Sequence, residues 1–242
     1  MTVKEILQTT HHRPWPLPVG SWRYYQEWNN AVFLHWKVGY EALKKLLPPG
    51  LEPDLLEGNP WVSLVAFTMQ KIRPAFLPSF KPVSDFDEIN IRTYVRSGNL
   101  SGVYFLSIEA GNKLSCKLAR GISGLPYRYS EMRRQEQQYT SRNAEFEDSL
   151  SIRYTTGNEL PEKTVTDRWL TERYALFQEE GQHLNKFDIH HVEWPVQTLS
   201  LESLEVNYSR FQPLINNTPD CTHYSRGVQV MAWGKEKKKF TK

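Results

Sequence analysis

The chain has 242 residues, 39% hydrophobic and 13% aromatic, with a formal net charge of +3; this supports one sizeable core and excludes extensive disorder. The charge is spread along the chain, and the one dense run, "KEKKKFTK" at 235–242, reads as a basic, solvated, flexible tail, so a nucleic-acid partner is not expected. Two cysteines, Cys116 and Cys221, lack disulfide or metal spacing, and there is neither a signal-peptide pattern nor an apolar run of ~18 residues, so the expectation is a cytoplasmic protein with no membrane partner.

Residues 1–20 end in "HHRPWPLPVG", whose prolines forbid a helix there; Trp15 and Leu17 are expected to pin this arm onto the body. "WNNAVFLHWKV" is rich in β-branched and aromatic residues and reads as a strand. "GYEALKKLLPPG" is a short helix stopped by Pro48 and Pro49, and "WVSLVAFTMQKI" is a strand apolar on both faces up to Thr68. "RPAFLPSFKPVSDFD" is a loop or flap.

"EINIRTYVRSGNLSGVYFLSIEA" reads as a hairpin turning at "SGNLSG". Alternation puts Ile89, Ile91, Thr93 and Val95 on one side and Glu88, Asn90, Arg92 and Tyr94 on the other. "NKLSCKLARGI" is a helix with Leu114, Leu118 and Ile122 along one face, ended by Gly121 or Gly124. "YRYSEMRRQEQQYTSRN" reads as one polar-faced strand and "EFEDSLSIRYTT" as another. "VTDRWLTERYALFQ" starts as a helical turn capped by Thr166 and passes into a strand near Tyr174. After the turn "EEGQ" come further strands, with a break at Pro195. There is no repeat and no domain linker, so the prediction is a single domain over 1–242, mainly β with a few short helices. Closing the antiparallel sheet would remove its exposed edges.

The polar row Glu88, Asn90, Arg92 and Tyr94 would meet water on an open sheet but line a cavity in a closed one. In a cavity, Arg92 could fork onto a carboxylate, and Glu88 could balance that charge or act as acid or base. Arg120 ends a helix, where a cation is also favoured structurally. Tyr127 and Tyr129 share a strand face, as pocket lining or aromatic core. Glu172, Arg173 and Tyr174 sit where a helical turn becomes a strand, with an exposed ion pair as the plain alternative. "HHVE" places His191 and Glu193 on one strand face, which could hold a metal only with help from elsewhere. No metal and no cofactor are expected. The phosphate-binding glycine motifs and the serine-hydrolase elbow are absent.

"RPW" at 13–15, "FLHW" at 33–36, "LLPPGLEPD" at 46–54, "EINIRTYV" at 88–95, "GVYFLSIEA" at 102–110, "ARGISGLPYRY" at 119–129, "WLTERYALF" at 169–177 and "HHVEWPVQ" at 190–197 occur in a known order. The set resembles the DUF2071, or YqjF-like, family of uncharacterised bacterial proteins. That family is related in fold to acetoacetate decarboxylase. The resemblance implies a cone-shaped, mainly antiparallel barrel with a cavity for a small organic molecule. The decarboxylase works through a lysine pair in a segment of the form arginine, acidic residue, two residues, Gly-Phe-Pro-Lys-Lys. "ARGISGLPYRY" is similar, with Arg120 on the arginine, Gly121 on the acidic residue, and Tyr127 and Arg128 where the lysines stand. A phenol cannot form an imine and a guanidinium stays protonated, so Schiff-base decarboxylation is not expected.

The reading is therefore a barrel with a pocket for a small carboxylate- or carbonyl-bearing metabolite. Arg92 and Arg120 would recognise the anion, Glu88, Asn90 and Tyr127 would complete a polar wall, and Tyr94, Tyr129 and Tyr174 would give aromatic lining. Two alternatives stand beside it. One is an enzyme doing acid–base chemistry on a keto acid or enolisable substrate, with Tyr127 as donor and Glu88 or Glu172 as base. The other is a structural or assembly protein. A homo-oligomer is left open.

Overall fold

The structure, a computed structural model, describes residues 1–239. In chain order the elements are α1 (Val3–Gln8), β1 (Tyr24–Lys37), α2 (Tyr40–Lys44), β2 (Glu52–Pro53), β3 (Leu55–Leu56), β4 (Asn59–Pro74), α3 (Lys81–Ser84), β5 (Phe86–Ser97), β6 (Leu100–Ala110), α4 (Lys113–Ser123) and β7 (Tyr127–Tyr129). Then follow β8 (Glu131–Gln135), β9 (Gln138–Asn143), β10 (Asp148–Glu159), α5 (Val165–Thr171), β11 (Ala175–Glu180), β12 (His183–His190), β13 (Val196–Asn207), β14 (Cys221–Ala232) and β15 (Glu236–Lys239).

Strand order explains how the site is enclosed. β12, β11, β6, β5, β4, β1 and β14 are neighbours in that order, and β12 pairs again with β14, so the strands close into a ring. Every pairing in the ring is antiparallel except β6–β11. From β14 the sheet continues outward through β13, β10, β9 and β8, and this wing folds over the ring. Alternation then gives the middle of β1, β4 and β5 two buried faces. Val32, Leu34, Ile89 and Ile91 point outward into a core shared with Tyr139 and Ile152 of the wing. Phe33, Val65, Phe67 and Val230 point inward. That is why β4 is buried without a break from Pro60 to Phe67 and β5 from Glu88 to Val95.

The N-terminal arm packs on the body. Ile6 of α1 lies against Tyr25, Met231 and Trp233, with Leu17 beside them. The Trp15 indole donates to Asp188 Oδ1 at 3.3 Å, and Arg13 Nη1 donates to the Ile189 carbonyl at 2.7 Å. α1 itself, closed by a Thr2–Glu5 capping box, went unpredicted.

Three local expectations need correction, and the setting of one helix is new. The segment read as one strand over 127–143 is β7 followed by a β8–β9 hairpin, whose turn at 136–137 carries no glycine, proline or asparagine to announce it. Helix α5 is capped by Thr164, in a capping box with Asp167, and not by Thr166. The Leu114, Leu118 and Ile122 face of α4 is 53, 45 and 58% exposed, because the helix lies at the opening of the ring and not over a filled core. Within the 235–242 tail, residues 236–239 form β15, an edge strand on β12; residues 240–242 lie outside the described part of the chain.

Candidate functional site

The ring encloses a cavity of about 460 Å³. Its exposed rim includes Arg23, Pro74 and Lys235 on the strand ends and Leu118 and Ile122 of α4. Its depth follows from register: Phe86 pairs with Met69 near the rim, while Arg92 pairs with Ser63, which pairs with His35 further down the wall.

Glu88, Asn90 and Arg92 descend the inner face of β5 as a polar stripe, only 2, 4 and 8% exposed. The period of two carries them inward despite a bulge between Ile91 and Arg92. Tyr94 follows on the same face but lies beneath the cavity: its hydroxyl donates to the Leu170 carbonyl at 2.7 Å and meets Ser63 Oγ at 2.7 Å. Tyr127 lines the wall, and its hydroxyl donates to Glu88 Oε2 at 2.9 Å. Asn90 Nδ2 approaches Glu88 Oε1 at 3.4 Å.

Among the described residues no cation sits on Glu88, and burial raises its pKa to about 7, against the pull of the hydrogen bonds from Tyr127 and Asn90. Near neutrality this carboxyl group can therefore either give or take a proton. The Tyr127 phenol is pushed well above its usual value by burial and by the adjacent Glu88, so it stays protonated and acts as a donor.

Two guanidinium groups occupy the deep end. Arg92 lies over the Phe33 ring at 5.7 Å, and its Nε and Nη2 are buried with no hydrogen-bond partner among the described residues. Arg173 donates through Nη1 to Asp54 Oδ2 at 2.7 Å and through Nε to the Trp169 carbonyl at 3.0 Å, while its buried Nη2 is unpartnered. Burial lowers the Arg173 pKa and Asp54 opposes that shift. Arg173 belongs to the "TERYALF" segment, a candidate in the sequence with an exposed ion pair as the plain alternative; the structure makes it 7% exposed and part of the cavity wall. Its position directly after α5, where the chain re-enters the ring, was the available signal.

The other expected site residues lie elsewhere. Arg120 is exposed on α4 and does not border the cavity. Tyr129 ends the short β7, is 40% exposed, and has Lys113 Nζ over its ring at 4.9 Å. Glu172 is buried behind the wall, accepting from Lys163 Nζ at 2.6 Å, Tyr174 Oη at 2.8 Å and the Trp194 amide at 3.0 Å. Tyr174 also serves as a platform for the arm, with Arg13 over its ring at 4.8 Å. Arg128, beside Tyr127, turns away from the cavity to Glu109 at 2.8 Å and Asp148 at 3.3 Å. Lys235 is the one lysine on the cavity border among the described residues; it is at the rim and paired with Glu180 at 2.9 Å.

The "HHVE" pair does not share a strand face, since β12 ends at His190. His191 Nδ1 meets the Val192 carbonyl at 2.7 Å, and Glu193 lies 3.6 Å from both Lys163 and Arg168. A different group comes together: Asp167, Cys221 and His223 bring possible ligand atoms within 4.8 Å of one another. These atoms already have partners. His223 Nε2 meets Asp167 Oδ1 at 2.9 Å, and His223 Nδ1 meets His35 Nε2 at 3.1 Å. His35 Nδ1 reaches Ser63 Oγ at 2.6 Å, which continues to Tyr94. The result is a buried hydrogen-bond chain that ties α5 to the floor of the ring. Its members come from five separate segments, so no local motif revealed it.

The chain is similar throughout to known proteins. The model of the DUF2071 family, described as an uncharacterized conserved protein, matches residues 25–229. The uncharacterized protein YqjF of Bacillus subtilis (strain 168) is 31% identical over 225 residues, covering 90% of this chain and 93% of that protein. Among solved structures, the enduracididine biosynthesis enzyme MppR superposes with a TM-score of 0.62 at 13% identity, covering 93% of this chain and 90% of that one. Acetoacetate decarboxylase from Legionella pneumophila subsp. pneumophila str. Philadelphia 1 gives a TM-score of 0.61 at 15% identity, covering 93% and 92%. These likenesses show an acetoacetate decarboxylase-like fold, and the family model together with YqjF shows that the chain belongs to the DUF2071 family.

Proposed function

We propose that this protein binds a small carboxylate-bearing metabolite inside the ring, with the carboxylate held by Arg92 and Arg173. The observation that carries this reading is the pair of buried guanidinium groups with unpartnered N–H donors facing one cavity. A buried cation without hydrogen-bond partners is costly, and a forked carboxylate offsets that cost. The charges along the cavity point the same way: Arg23, Arg73, Arg92, Arg173 and Lys235 border it, against the single carboxyl group of Glu88. Glu88 and Tyr127 then complete a donor wall, and Arg120, Tyr129, Glu172 and Tyr174 take no part. The fold neighbour MppR has been captured with pyruvate. The two free thiols, Cys116 and Cys221, suit the cytoplasm as the compartment. No helix among the described residues is long and apolar enough to cross a membrane.

A second reading rests on Glu88, whose pKa of about 7 suits a general acid or base. In that reading Glu88 moves a proton at the carbon next to a ligand carbonyl, and Tyr127 supplies a proton to the developing oxygen anion. Thermal-shift measurements with small carboxylic and keto acids test the first reading, because a ligand that binds only the native state raises the melting temperature. Wild type should shift and Arg92→Ala should not; an equal shift in both would remove Arg92 as the anchor. Proton exchange of the same acids in heavy water, followed by NMR, tests the second. Exchange that is lost in Glu88→Gln supports it, and exchange no faster than in buffer refutes it.

A further inference from the structure

Resting on the carboxylate reading, we infer that the ligand is a monocarboxylic acid with a sizeable hydrocarbon body, straight-chain or aryl, bound head-down with that body extending toward α4. The deep polar groups, the β5 stripe with Tyr127 and Arg173, are separate from the cations Arg23 and Lys235 at the rim. Apart from these, Arg73, Gln26, Ser115 and Ser123, the lining is mainly hydrocarbon and aromatic, with Trp28, Phe33, Phe67, Phe105, Leu176 and Trp194 its largest side chains. A short keto acid seated on the guanidinium groups would leave most of this surface bare.

Volume supports the same conclusion. At about 30 Å³ for each water-sized group, 460 Å³ holds on the order of 15 such groups. That is the range of drug-sized ligand pockets and well beyond a short keto acid. The path from the surface is apolar as well. Leu118 and Ile122, exposed on α4, border the cavity at its rim. They offer the hydrocarbon body a continuous apolar surface as it leaves water. Arg23, Arg73 and Lys235 at the same end attract the anionic head during entry. Polarity is thus graded, from cations at the rim through hydrocarbon to guanidinium groups with unpartnered N–H donors at the base. An amphipathic anion matches that gradient, whereas a polyol, a nucleotide or a short diacid would leave its own polar groups against hydrocarbon.

The test is a titration of the full chain with butyrate, hexanoate, octanoate, decanoate, phenylbutyrate and decanol, below micelle-forming concentrations, read by tryptophan fluorescence. Trp28, Trp194 and Trp233 border the cavity and report its occupation. Each added methylene should tighten binding about fourfold until the cavity is full. Decanol should bind at least tenfold more weakly than decanoate, and Arg92→Met should erase that difference while still binding decanol. Butyrate binding as tightly as decanoate would overturn this inference and leave the carboxylate reading standing. Absence of binding by acids of every length, or decanol matching decanoate on wild type, would overturn the carboxylate reading itself.

Discussion

Replacing Glu88 by glutamine makes a prediction whose size follows from the site. Glu88 is 2% exposed and has no cation beside it, and burial raises its pKa from 4.5 to about 7. Because the folded value is the higher one, the folded state holds this proton more tightly than the unfolded chain does. The associated stability is fully present below pH 4.5 and is lost as pH climbs through 7. At about 1.4 kcal/mol for each tenfold change in proton affinity, the loss above both values is about 3 kcal/mol. Glutamine keeps an oxygen that can accept from Tyr127 but carries no charge at any pH. Wild type and Glu88→Gln should therefore differ little near pH 4. By pH 8.5 the variant should be more stable by about 3 kcal/mol, or roughly 6–12 °C in melting temperature for a chain of this size. Thermal unfolding across this range, without ligand, measures it. Parallel stability profiles would refute the claim that Glu88 is a buried carboxyl group lacking a counter-charge.

Tyr127→Phe removes a hydrogen bond that lowers the Glu88 pKa, so the fall in stability with rising pH should move to higher pH; an unmoved midpoint would contradict the pairing. Asp54→Asn leaves Arg173 buried without its carboxylate and should cost about 3–5 kcal/mol in urea unfolding, whereas an effect below about 1 kcal/mol would show the pair to be solvated. In Gly102→Ala the new Cβ would lie 2.5 Å from the Ala175 carbonyl oxygen and 2.8 Å from the Phe177 ring. It should strain the β6–β11 junction by about 1–3 kcal/mol, read from the melting temperature, and a neutral effect would mean that this junction is looser than described.

The β5–β6 hairpin was legible because alternation is a strict rule for a strand whose two faces both matter. Reading Glu88, Asn90 and Arg92 as one row required only the period of two and the turn at Gly98. Whether that row faced water or a hollow could not be decided from the strand, since closure depends on the remote β12–β14 pairing. Arg173 was visible as a residue but not as a wall member, because its direction is set by how the chain leaves α5. Arg120 shows the opposite failure: the turn after α4 does deliver Tyr127 to the cavity, but a residue on the helix before it need not follow. The His35–Ser63–Tyr94–His223–Asp167 chain left no local trace, being assembled by strand register and a helix cap. The apolar stripe of α4 marked the helix but not its setting: such a stripe ordinarily packs on a core, and here Leu118 and Ile122 border an opening.

A crystal structure of the protein with bound decanoate tests the central claim most directly. The account predicts carboxylate density within about 2.7–2.9 Å of N–H groups on both Arg92 and Arg173, with the chain running up toward Leu118 and Ile122. Density with the carboxylate at the rim and the hydrocarbon at the base, or a cavity empty at saturating decanoate, would contradict it.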